Sequence, residues 1–191
     1  FRNPERIFKV VFKGEGSTDA GGPYNEVMST ICDELMSKFI PLFIPSQNNV
    51  HNVGDNRDAW LINPIANNTL HIDLFQFLGK LMGVAIRTQN NLNLTLPPLF
   101  WKRLMIEEVT VSDLKGVDEC CFQMLEILRN LDEQGITSAN FSEAFENLVF
   151  TATDSSGRNI ELLEGGREIP VTYYRAIEYA KLVENLRLVE G

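Results

Sequence analysis

Nucleophilic or metal-binding chemistry in this chain would have to come from Cys32, Cys120, Cys121, His51 and His71, its three cysteines and two histidines. A thiolate nucleophile needs an accessible cysteine in a setting that lowers its pKa. Cys32 and Cys121 fall on apolar helical stripes, and Cys120 follows acidic Asp118 and Glu119, which disfavour a thiolate. Neither histidine is placed by sequence beside a cysteine. His51 sits in a polar loop without a Cys, Asp or second His at metal-ligand spacing, so it reads as an exposed loop histidine. No catalytic residue, metal site or cofactor is therefore expected within these residues.

A second candidate is the run GEGSTDAGG, which separates an apolar segment from a helix. Gly14, Gly16, Gly21 and Gly22 supply the freedom to reverse direction, Asp19 can accept from turn amides, and Pro23 suits a first helical turn. Gly-rich loops before helices bind anions. This one has no GK[ST], and its glycine spacing does not match the dinucleotide fingerprint. A structural turn is the stronger reading.

The elements that position these residues follow from periodicity. Tyr24, Val27, Met28, Ile31, Cys32, Leu35 and Met36 recur at helical spacing. Residues 39–45, apolar and bracketed by prolines, suit a short edge strand, 46–58 a polar loop, and 59–63 a buried strand. Residues 70–88 form the most apolar segment. Leu70, Leu74, Phe77, Leu78, Leu81, Met82, Ala85 and Ile86 cover one face, and Phe75 and Val84 extend it, which predicts a central core helix buried on several sides. Gly79 and Gly83, four apart, would admit a neighbouring backbone. Residues 99–105 read as a short helix with Leu99, Trp101 and Leu104 available for packing and Trp101 as a core anchor.

In the second half, Thr110 and Asp113 have capping-box spacing. Val117, Cys120, Cys121, Met124, Leu125, Leu128 and Leu131 form a clean stripe over 117–131. Residues 147–153 and 158–163 read as a hairpin joined by Asp154-Ser155-Ser156-Gly157. Thr172 is placed to cap a last helix in which Ala176, Tyr179, Ala180, Val183 and Leu186 share a face. So small a helix–hairpin–helix unit has little core volume, and sequence alone leaves open whether every stripe is core or one is an exposed binding strip.

Composition sets outer bounds. With 44% apolar and 23% charged residues the chain has the balance of a soluble globular protein, and its net charge of −9 disfavours nucleic acid. Three cysteines make no complete disulfide framework, which fits reduced thiols in a cytoplasmic or nuclear protein. No signal peptide appears and no uninterrupted apolar run reaches the roughly 20 residues that span a bilayer, so no membrane is expected as a partner. The initial Phe1 suggests a piece of a longer protein.

Several motifs, in order, resemble the HECT-type ubiquitin ligase domain. They are GEGSTDAGG before a helix, Asn63-Pro64, the F-x-FLG-x-x-x-G-x-AI run from Phe75 to Ile86, and IPVT at Ile169–Thr172 followed by Glu178-Tyr179. NRDAWLINP, AIRT and a later Trp-Lys are similar to the large RCC1-repeat, HERC-type members. The resemblance implies a mainly helical α+β fold: an N-lobe with a larger subdomain, residues 1–108 and incomplete, and a smaller one, 109–191, that docks the ubiquitin-conjugating enzyme (E2). The catalytic cysteine would then lie in a C-lobe absent from this chain.

The resemblance further implies an E2-binding groove formed by Cys121, Met124, Leu125, Leu128, Leu131, Leu148, Phe150, Tyr179 and Val183. Cys121 and Val183 depart from the larger side chains usual there and would make it shallower. The implied partners are E2, ubiquitin held weakly, and substrate proteins bound through regions outside the chain. The alternative is a non-catalytic interaction domain that kept the HECT fold and lost E2 binding.

Overall fold

A computed structural model describes residues 7–14 and 22–190. In chain order the elements are α1 (Gly22–Leu35), β1 (Phe43–Pro45), α2 (Gln47–His51), β2 (Trp60–Ile62), α3 (Thr69–Thr88), α4 (Pro98–Leu104) and α5 (Val111–Lys115). They continue with α6 (Glu119–Arg129), α7 (Phe141–Ala144), β3 (Thr151–Thr153), β4 (Asn159–Glu161), two 3-10 turns at Gly166–Glu168 and Tyr173–Arg175, and α8 (Ala176–Val189). The fold is mainly helical α+β. Gly16, Asp19 and Gly21 of the expected Gly-rich turn lie outside the described residues; Gly14 has φ +97°, a conformation that favours glycine.

Two compact units divide the chain, one made of Phe1–Ile44 and Ile65–Thr95, the other of Pro45–Pro64 and Leu96–Gly191. This division falls elsewhere than the expected boundary after Glu108. Hydrogen bonds explain why 45–64 and 96–108 belong with the later residues. Asn48, fully buried, donates from Nδ2 to the Asp55 carbonyl (2.9 Å) and the Lys115 carbonyl (3.0 Å), and its Oδ1 accepts from the Glu119 amide (2.7 Å). Lys102 Nζ on α4 lies 2.7 and 2.8 Å from the two Asp113 carboxylate oxygens on α5.

In the first unit, α1 buries Tyr24, Met28, Cys32 and Leu35, the stripe that periodicity requires. Helix α3 differs from expectation. Only Leu78, Leu81, Ala85 and Thr88 are buried, a narrow stripe of i, i+3, i+7, i+10. Leu70 and Phe77, at or near the edge of this stripe, and Ile86, well off it, are exposed, Ile86 at 81%. A side chain added at Gly79 or Gly83 would meet no described atom within 4 Å, so neither marks a close backbone approach. By length and mean hydropathy this 20-residue helix does qualify as able to cross a bilayer. Asp73 and Lys80 within it make that setting costly.

The second unit holds the remaining helices and the hairpin. Residues 46–58, expected as loop, contain α2, because Ser46 caps it by accepting the Asn49 amide (3.1 Å) and Asn48 is satisfied in the interior. His51, at its end, is exposed as expected. On α4, Leu99 is buried, but Trp101 is 39% exposed and Leu104 59%, so Trp101 is not a core anchor; its ring instead meets the Phe100 ring edge-on at 5.2 Å. The Thr110 amide donates to the Asp113 carboxylate (2.9 Å), as capping-box spacing requires.

The hairpin forms where turn chemistry placed it, with Thr151 opposite Glu161, Ala152 opposite Ile160 and Thr153 opposite Asn159. Asp154 organises its turn, accepting from the Ser156 amide (2.9 Å) and hydroxyl (2.6 Å), the Arg158 amide (2.9 Å) and Arg158 Nε (2.8 Å). Burial pushes this carboxyl up, but these hydrogen bonds outweigh it and hold the group below its ordinary value. Gly166 is required sterically: a Cβ there would sit 2.3 Å from the Phe150 carbonyl oxygen. Thr172 precedes a 3-10 turn that leads into α8, without a side-chain capping bond.

Candidate docking site

Helices α6 and α8 pack together through apolar stripes, and the nine residues expected to form one groove separate into groups. Leu125, Leu128 and Phe150 have no exposure at all. They are core. Phe150 is held between the Tyr179 ring, edge-on with centroids 5.8 Å apart, and the Arg175 guanidinium 4.2 Å above its face. Leu148 is half-buried beside the hairpin, its carbonyl accepting the Val171 amide (2.9 Å).

Cys121, Met124, Tyr179 and Val183 do meet, as walls of an open cleft between α6, the β3–β4 hairpin and α8. Cys121 and Met124 are half-buried; Tyr179 and Val183 show only narrow edges. The Tyr179 hydroxyl donates to the Thr151 carbonyl (3.0 Å), pinning α8 to β3, and burial raises its pKa. Leu128 and Leu131 line a different hollow beyond the C-terminal end of α6.

The polar end of the cleft was not legible in sequence. Asp118 caps α6 by accepting the Cys121 amide at Oδ1 (2.9 Å), and its Oδ2 lies 2.9 Å from Arg187 Nη1. Arg187 Nε in turn lies 2.5 Å from Glu190 Oε1, and all three side chains are almost wholly buried. Glu190 also accepts from the Ser155 amide (2.8 Å) and hydroxyl (2.6 Å), and its carbonyl accepts from Arg103. One ionic chain thereby fixes the start of α6, the end of α8 and the hairpin turn. A signal existed in Arg187 itself, which stands seven residues after Ala180 and so on the same buried face of α8, but a charge near a helix end ordinarily reads as solvated.

None of the thiols is set up as a nucleophile. Burial pushes Cys121 up to about 12, with Arg187 opposing and Asp118 and Glu190 reinforcing the rise. Burial likewise raises Cys32, which is fully enclosed in α1. Cys120 is exposed at the cleft rim with no histidine lining the same cleft. Among the described residues no cluster of three or more metal-ligating side chains occurs. What the site offers is shape and apolar wall area, which suits recognition of another chain.

Comparison with known proteins gives this fold its class. The model of the HECT domain (ubiquitin-transferase) matches residues 29–191, and the chain belongs to that family. Within it the chain is HERC-like: it is 37% identical over 189 residues to the E3 ubiquitin-protein ligase HERC2 of Mus musculus, and equally to that of Homo sapiens. It is 31% identical over 184 residues to the E3 ubiquitin-protein ligase RSP5 of Emericella nidulans. These alignments cover 98% of this chain and 4% of HERC2, and 95% of this chain and 21% of RSP5.

Proposed function

We propose that this segment is the N-lobe part of a HECT E3 ubiquitin ligase, and that it recruits a ubiquitin-charged E2 through the second unit, chiefly residues 109–191. The observation that carries this reading is the open cleft whose walls are Cys121, Met124, Tyr179 and Val183. Such a cleft accepts an apolar side chain from a partner loop. Leu125, Leu128 and Phe150 act from beneath, holding the walls in place.

The whole protein then passes ubiquitin from the E2 cysteine to a ligase cysteine and on to a substrate lysine. The ligase cysteine is supplied by residues outside these 191, since the thiols here are buried or unassisted. Substrates bind through other regions, and ubiquitin itself is held weakly. A non-catalytic interaction domain without E2 binding is the competing reading, favoured by the small side chains of Cys121 and Val183.

Titrating a panel of E2 enzymes into the isotope-labelled protein decides between them. Amide shifts should gather around Met124, Thr151 and Val183, and Met124→Asp should weaken binding about tenfold or more while the spectrum stays folded. If no E2 shifts these signals, or Met124→Asp binds as well as the parent, the cleft is not the docking site.

A further inference from the structure

The hollow beyond the C-terminal end of α6 shares no lining residue with the cleft. Leu131 lies at its base, with the fully buried Leu128 beneath, and Tyr173, Tyr174 and Ile177 line it as well. Tyr174 is 84% exposed and Ile177 53%, so two large side chains with apolar surface stand open to solvent. The wall is nevertheless held. Tyr173 donates from its hydroxyl to Asp132 (2.6 Å), meets the Phe141 ring edge-on at 6.3 Å and the Tyr174 ring edge-on at 5.5 Å. Aromatic side chains fixed before binding lose little entropy on capture, which is the character of an anchor site.

Charge decides the occupant. Asp132 and Glu133 stand on the rim. The rim cation Arg129 is already engaged by Glu126 (3.3 Å) and by Glu184. Two carboxylates thus line the hollow, and its one lining guanidinium is offset by two more. A second copy of this chain, with net charge −9, would be repelled, and so would nucleic acid.

We propose that this hollow binds a cationic amphipathic segment of a partner protein, an apolar side chain seated beside Leu131 against Tyr174 and Ile177, with flanking Lys or Arg on the acidic rim. The site is independent of the docking role of the cleft, and stands or falls separately from it.

The test uses three short synthetic peptides: one with Leu at i, i+3, i+4 and i+7 and Lys elsewhere, one with Glu replacing every Lys, and one with Ser replacing every Leu. Each is titrated into the isotope-labelled full chain. The Leu/Lys peptide should shift Leu131, Tyr173, Tyr174 and Ile177, bind about tenfold or more tighter than either of the others, and weaken as salt is raised. Tyr174→Ala and Ile177→Asp, both at exposed positions, should each cost about tenfold with the folded spectrum retained. Shifts centred on the cleft, equal binding of the Glu peptide, or unchanged affinity in both variants would overturn the proposal. So would a concentration-dependent dimer that Ile177→Asp abolishes, because the occupant would then be a second copy.

Discussion

Helices α3 and α6 carry apolar patterns of similar strength, yet they are used differently. Over 11 residues α6 is enclosed by its neighbours α2, α5 and α8, and Leu125 and Leu128 are sealed completely. Over 20 residues α3 buries four, none of them sealed completely, and leaves Leu70, Phe77 and Ile86 open. Hydrophobic stabilisation follows area removed from water, not apolar character in the sequence. The two helices bury a similar share of their residues, and α6 differs in that its buried leucines are sealed completely.

The sharpest way to break that contrast is a pair of substitutions. Leu128→Ala should cost about 2–5 kcal/mol, through lost transfer free energy and the cavity left behind. Ile86→Ser on α3 should stay within about 0.5 kcal/mol, because its side chain is already solvated. Urea unfolding of both variants measures the difference, and similar losses would show that α3 is covered after all.

A glycine pair makes a smaller version of the same comparison. Gly166→Ala must push a methyl into the Phe150 carbonyl and should destabilise by about 1–3 kcal/mol. Gly79→Ala meets nothing and should stabilise by about 0.5–1 kcal/mol through helix propensity. Thermal melts that moved in the same direction would contradict the packing described for one of the two.

The mildest effect is on pH. Asp154 titrates lower in the folded protein than in the unfolded chain, so its contribution is present above the ordinary aspartate value and is lost as pH falls through the depressed one. Asp154→Asn should reduce stability at neutral pH and flatten the acid limb of the stability curve. An acid limb unchanged in the variant would assign it to other carboxylates, of which Asp113, also held low against the effect of burial by Lys102 and Thr110, is the first to examine.

Much of the fold was readable from residue order. The stripes of α1, α6 and α8, the Asp154–Gly157 turn and the Thr110/Asp113 cap all follow from spacing. Spacing did not say which stripe another element covers. Leu125 and Leu128 share a helical stripe with Cys121 and Met124, yet only the first two are closed over completely. Helix α2 was hidden because Asn and Asp favour turns, and only a partner far along the chain turns Asn48 into an interior residue. The same holds for Arg187, whose burial depends on meeting Asp118 and Glu190 together.

Asn48 also bears on how the chain is made. Its amide group waits for Lys115 and Glu119, 67 and 71 positions later. At roughly 5–20 residues per second of synthesis, several seconds pass between the emergence of Asn48 and that of its acceptor and donor. During that interval residues 45–64 cannot complete their own unit, while most of the first unit has already left the ribosome. The earlier-synthesised strap must stay open until the later helices arrive, and a truncation that began at residue 109 would leave the start of α6 without it.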